Sequence, residues 1–181
     1  MSLRIVSGKF KGRVLQTPKG SKTRPTQEAL REAVFNISQG SIEGATVLDL
    51  FAGSGAMGFE ALSRGASHVT FIEKDRAAIA CIRKNIELLD VACQTTLLPQ
   101  DAFHAMKRLD AFDLIYVDPP YEMSVEPIVK VLLEYSLLKE EGTLFVEDLF
   151  EPKNNPLEIK GLLLKSSRHF GKAALTEFIP K

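Results

Sequence analysis

Apolar positions along this chain follow two spacings that trade places. Leu30, Ala33, Val34 and Ile37 recur at helical intervals behind Thr26, a candidate N-cap, and the run ends near Gly40. From residue 46 short apolar runs alternate with longer amphipathic ones. The pattern predicts strands over 46–50, 69–72, 95–98, 113–117 and 143–146, with helices over 55–64, 75–89, 102–109 and 125–138. In the 75–89 helix Ile79, Ile82, Ile86 and Leu89 share one face. Strands that alternate with helices of this length imply right-handed crossovers and a parallel sheet covered on both faces. The tail breaks the rhythm: residues 162–167 and 173–178 flank Gly171-Lys172 and read as an antiparallel hairpin. At the other end, residues 4–7 and 13–16 read as two short strands around Gly8-Lys9-Phe10-Lys11-Gly12, and Pro18, Gly20 and Pro25 punctuate a linker. The expected fold is a doubly wound α/β, mostly parallel seven-stranded, Rossmann-like sheet with an antiparallel C-terminal hairpin. Two units are expected: a basic hairpin-and-helix extension over 1–40 and the sheet domain over 41–181.

Composition narrows the class only slightly. Hydrophobic residues make up 45% of the 181 and charged residues 25%, an ordinary globular balance. No stretch approaches the ~18 apolar residues of a membrane helix, and the opening residues lack a signal peptide's apolar run. Cys81 and Cys93 are too few for a disulfide framework, and the three histidines are scattered, so no metal site is expected. A monomer in a reducing cytoplasm is the simplest expectation. Charge says more. The net charge is zero, yet residues 1–27 hold seven basic side chains and no acid, leaving 16 bases against 23 acids in the rest. A basic arm on an acidic body points to a polyanionic partner met by Lys9, Lys11, Arg13 and Arg24; a solvated surface hairpin is the plainer alternative.

Two segments carry the chemistry. Asp49-Leu-Phe-Ala-Gly53-Ser-Gly55-Ala-Met-Gly58 follows a strand and opens a helix, so its amides point into a crevice. The glycine spacing alone also suits a dinucleotide. Asp49 decides between them: a carboxylate at the strand tip would repel a pyrophosphate and hold a cation, and S-adenosylmethionine is cationic. Glu73 ends the next strand, where an acid can accept both hydroxyls of a ribose, in NAD as readily as in any nucleoside. Asp101 can accept from an adenine amino group or cap the following helix, two readings that are compatible.

The second segment, Asp118-Pro119-Pro120-Tyr121, ends a buried strand beside that loop. Two prolines fix φ and remove two donors, leaving a rigid turn that presents acceptors. That suits an exocyclic amine, whose lone pair is delocalised into its ring. Accepting its hydrogens with the Asp118 carboxylate and a proline carbonyl orients the lone pair and stabilises the positive charge that develops on methylation. Tyr121 would stack on the base. A helix-capping turn is the structural alternative.

Together Asp49–Gly55, Glu73 and Asp118–Tyr121 resemble the class I S-adenosylmethionine-dependent methyltransferases. The arm from Arg4 to Arg13, Arg24-Pro-Thr26, and Arg31-Glu32 followed by Phe35-Asn36 narrow the likeness to the RsmD family, which methylates a guanine N2 in 16S ribosomal RNA. By that resemblance Asp49, Gly53 and Gly55 border the methionine part of the cofactor, Glu73 the ribose and Asp101 the adenine. Phe51, Ala52, Lys74 and Ala102 lie among the same contacts. Asp118 to Tyr121 hold the guanine, and the arm meets ribosomal RNA or the small subunit. The resemblance leaves open whether Arg24, Arg31 and Asn36 bind RNA, touch the cofactor or brace the arm. Other amine or amide acceptors, adenine N6 or a protein glutamine, stay in view, although the glutamine enzymes carry Asn where this chain has Asp118. A NAD dehydrogenase leaves Asp49 and the proline turn unexplained, and a non-catalytic RNA-binding relic leaves three intact acids unexplained.

Overall fold

The alternating pattern resolves into strands whose two faces are both apolar, as a parallel sheet sandwiched between helices requires. The computed structural model describes residues 2–19, 25–149 and 158–181. Among them β1 (Thr46–Leu50), β2 (His68–Ile72), β3 (Thr95–Leu98), β4 (Phe112–Val117) and β5 (Leu138–Leu149) pair in parallel. β6 (Leu162–Phe170) and β7 (Ala173–Pro180) join antiparallel, and the seven strands run β3-β2-β1-β4-β5-β7-β6.

Two cores lie on opposite faces. On one, Leu30 and Val34 of α1 (Pro25–Ile37), Phe59 of α2 (Ala56–Ser63) and Ile82 of α3 (Arg76–Leu89) pack against Val47, Phe71 and Phe145. On the other, Met106 of α4 (Ala102–Met106) and Ile128 of α5 (Val125–Glu134) pack against Leu48, Ile115 and Val146. The doubly wound expectation holds in strand order and in its antiparallel edge.

Four local expectations change. α1 begins at Pro25, which places Thr26 inside the first turn rather than before it; Pro suits the first position because its missing N–H would have had no partner there. α5 stops at Glu134, because Ser136 takes a left-handed φ of 51° and turns the chain into a β5 that starts at Leu138. α4 ends at Met106, short of Leu109. The N-terminal hairpin has one antiparallel bridge, Arg4 to Val14, in place of two strands, with cross-bonds from Ile5 N–H to the Arg13 carbonyl at 3.0 Å and from Leu15 N–H to the Leu3 carbonyl at 2.9 Å. The body supplies further partners. The amides of Val6 and Ser7 donate to Glu60 at 2.8 and 3.0 Å, and that of Phe10 donates to Ser63 Oγ at 2.9 Å. Gly8 adopts φ +82°, and a Cβ there would sit 1.8 Å from the Ser63 carbonyl oxygen. The arm lies that tightly on α2.

Candidate functional site

The strand order reverses between β1 and β4, and the carboxyl ends there open a crevice, where such sheets bind ligands. β1 delivers Asp49 into it. The chain then turns at Phe51, held at φ 69°, an unusual conformation for a bulky side chain and one that narrows the loop's freedom. Gly55 caps α2 in the left-handed region. Asp49 is 2% exposed, and its Oδ2 accepts from the Gly58 amide at 2.9 Å. Burial pushes its carboxyl up to about 7, against the Gly58 hydrogen bond, and the Glu73 charge adds to the rise. Gly58 could be no larger: a Cβ would stand 2.2 Å from the Phe71 ring.

Glu73 serves the loop before any ligand. Its Oε2 accepts from Gly53 at 2.7 Å, and its Oε1 from Lys74 and Asp75, each at 2.8 Å, so it ties the glycine loop to the end of β2. Asp101 caps α4 through the Phe103 amide at 3.0 Å, while its other oxygen lies 3.9 Å from Lys74 Nζ. The capping reading of Asp101 therefore holds.

Two cavities flank Asp118. One of about 300 Å³ is bordered by Glu73, Lys74, Ala102 and the Asp118–Tyr121 turn; Tyr121 is 66% exposed at its rim. The other, of about 200 Å³, runs beneath α1 and is bordered by Asp49, Ala52, Gly53, Arg31, Tyr116 and Glu147. Phe51 and Asp118 border both. Gly55 lines neither cavity, and a Cβ there would stand 2.7 Å from the Phe59 ring; Asp101 is not on either wall although its neighbours Gln100 and Ala102 are.

Asp118 follows Val117, which pairs with Val146, so Glu147 stands beside Asp118 one strand over. Burial first, and then the charges of Glu147 and Asp49, raise the Asp118 carboxyl to about 8. Glu147 is also raised by burial, although the Tyr116 hydroxyl donates to its Oε2 and opposes that rise. No described residue donates to the Asp118 carboxylate, and none of Asp49, Asp118 and Glu147 has an ion-pair partner among the described residues. Sequence reasoning missed Glu147 and Tyr116. A signal existed, because Leu144-Phe-Val-Glu147 is an apolar run ending in an acid, as at Asp49 and Glu73.

Neither cavity is lined by Lys9, Lys11 or Arg13. Lys9, Lys11 and Arg13 are exposed; Arg24 lies outside the described residues. Arg31 is buried, donates to the Arg4 carbonyl at 2.8 Å and approaches the buried Glu60 at 3.5 Å, too long for a good hydrogen bond. Its bracing role is thus visible, while it also borders the second cavity. Asn85, buried on α3, bonds both backbone groups of Gln16 at 2.7 and 3.0 Å and the Ser54 carbonyl at 3.3 Å, which links the arm to the glycine loop.

The strand order, the loop after β1 and the acid-tipped strands define the class I methyltransferase fold. The magnesium protoporphyrin IX methyltransferase of Synechocystis, solved with S-adenosylmethionine bound, shares it at a TM-score of 0.63 and 16% identity, covering 89% of this chain and 86% of that one. A family model described as "Conserved hypothetical protein 95" matches residues 3–179, and the chain belongs to that family. Ribosomal RNA small subunit methyltransferase D of Haemophilus influenzae is 34% identical over 160 residues, covering 86% of this chain and 81% of that one. YlbH of Bacillus subtilis is 37% identical over 150 residues, with 80% and 82% covered. The solved structure of yhhF from Escherichia coli superposes with a TM-score of 0.90 at 31% identity, covering 100% and 99%. The chain is a methyltransferase of the RsmD family, as the motifs implied.

Proposed function

We propose that this methyltransferase uses S-adenosylmethionine to methylate the exocyclic N2 amine of a guanine in small-subunit ribosomal RNA. The observation that carries the reading is the convergence of Asp49, Asp118 and Glu147 in one crevice, Asp49 and Glu147 buried and Asp118 half-buried, none with an ion-pair partner among the described residues. Such a group of carboxylates is costly until a ligand brings positive charge and N–H donors. A pyrophosphate would worsen the repulsion; an ammonium and a sulfonium relieve it. The residues therefore fit S-adenosylmethionine, with Asp49 and the loop at 51–53 beside its methionine part, Glu73 and Lys74 beside the ribose and Ala102 beside the adenine. Bound there, the cofactor supplies an electrophilic methyl group and a neutral leaving group.

The chain's own part is positioning and proton handling. The Asp118 carboxylate accepts the amine's N–H groups and aims the nitrogen lone pair. A carboxyl raised to about 8 is also a better proton acceptor than a surface aspartate, so it can take the proton that the nitrogen sheds as its new N–C bond forms. The rigid Pro119-Pro120 turn limits the directions the acceptor can face, and exposed Tyr121 offers a ring for the base. Ribosomal RNA is supported by the relatives' names and by the exposed cations of the arm.

The test is transfer of labelled methyl from S-adenosylmethionine to 16S ribosomal RNA purified from cells deleted for this gene. One labelled N2-methylguanine is expected. Label in N6-methyladenine or in protein would replace the reading.

A further inference from the structure

Glu147 is a charged side chain, 9% exposed, at the wall of the crevice, and nothing above gives it a partner for both oxygens. The Tyr116 hydroxyl holds Oε2; no described residue donates to Oε1. That oxygen is open to the crevice, where a donor on a bound molecule can reach it. Its place in the sheet says which molecule can bring one. Asp49 rides β1 and Glu73 rides β2, on one side of Asp118 and β4; Glu147 rides β5, on the other side. Glu147 shares the cavity of Asp49 and Gly53 but stands on its β5 side, next to Asp118, where an amine held by Asp118 would lie.

Asp118 and Glu147 follow the paired residues Val117 and Val146 on parallel neighbours, so their backbones lie about 4.8 Å apart. Two carboxylates carried side by side on adjacent strands suit an edge with adjacent N–H donors. Guanine has such an edge in N1–H and N2–H₂. Adenine and 2-aminopurine present an unprotonated N1 with a lone pair that a carboxylate repels. From this geometry we infer that Glu147 is a specificity-determining residue, its carboxylate accepting the guanine N1–H while Asp118 accepts from N2. The Tyr116 hydroxyl orients it. This rests on the guanine reading above and extends it from the reacting nitrogen to the identity of the base.

The experiment compares two 16S-derived RNA fragments that differ only at the mapped nucleotide, guanine or 2-aminopurine. 2-Aminopurine keeps the amine but lacks the N1–H. Wild-type enzyme should prefer guanine by at least roughly 100-fold in kcat/KM, a floor well below the ~10⁴–10⁵ that a site built to hydrogen-bond its substrate can reach. Glu147→Gln should lower guanine methylation and shrink that preference to about tenfold or less, because its amide can donate to an unprotonated N1. Glu147→Asp, which keeps the carboxylate, should be slower yet retain the preference. It serves as the second variant if Glu147→Gln fails to fold, as judged by melting and cofactor binding. Equal losses on both RNAs in Glu147→Gln, or a preference lost in Glu147→Asp, would overturn the assignment and leave guanine methylation standing. Wild-type label outside guanine N2 would overturn the guanine reading itself, and this one with it.

Discussion

Asp49 titrates near 7, and two pH dependences of opposite sign follow. A carboxyl raised on folding adds stability that is complete below its unfolded pKa of about 4 and is lost as pH rises through 7. The difference is on the order of 4 kcal/mol at full ionisation. The ligand-free protein should therefore melt lower at pH 8 than at pH 5.5, and Asp49→Asn should flatten that slope in a calorimetric series. Cofactor affinity should run the other way, rising up to about tenfold per pH unit below 7 because the cation needs the ionised form. Titration calorimetry in two buffers of different ionisation heat would register the released proton. Asp118 differs in role. Asp118→Ala should cut methyl transfer by about 10² to 10³ while cofactor affinity stays within a few-fold. A matching loss of cofactor affinity would make the residue structural. The acids at 49, 73 and 118 were legible because each ends an apolar run at a strand tip. The bonds they make were not: Glu73 proved a clamp on Gly53 as well as a cavity wall, and nothing local to its sequence says so.

At the scale of elements, the close approach of α2 to β2 holds the glycine loop in place. Gly58 is the third residue of α2, and alanine ordinarily favours a helix over glycine by up to about 1 kcal/mol. Here the added carbon meets the Phe71 ring at 2.2 Å, so Gly58→Ala should instead destabilise by about 1–3 kcal/mol, read from the urea midpoint. It should also weaken cofactor binding, since the Gly58 amide holds Asp49. Period was enough to place β1 to β5 and α1 to α5. It failed at the ends, where helix length depends on the next strand's pairing: α5 yields at Tyr135 because β5 claims Leu138 opposite Phe112.

For the whole molecule, the arm is bound into the body by Glu60 and Asn85. Deleting it would strip Glu60 of two amides and leave a buried carboxylate facing Arg31 and Arg64, a loss of several kcal/mol. Charge reversal is the cleaner probe. Lys11→Glu and Arg13→Glu change exposed side chains and should leave melting unchanged while weakening RNA binding. Each phosphate contact removed should lower the slope of log affinity against log salt by roughly 0.7–0.9, and an unchanged slope would place the RNA elsewhere.

The sequence by itself determined the doubly wound order, the acid-tipped glycine loop, the proline turn and the basic arm. Each is written in local period, turn chemistry or charge along a short stretch. Only the tertiary structure decided that Glu147 meets Asp118, that Glu60 and Arg31 brace the arm, and that Asn85 joins the arm to the loop. Those partners are separated by 27 to 69 residues, and strand pairing and helix packing bring them together. Burial then changes what the acids are, turning strand-tip carboxylates into groups that titrate near neutrality.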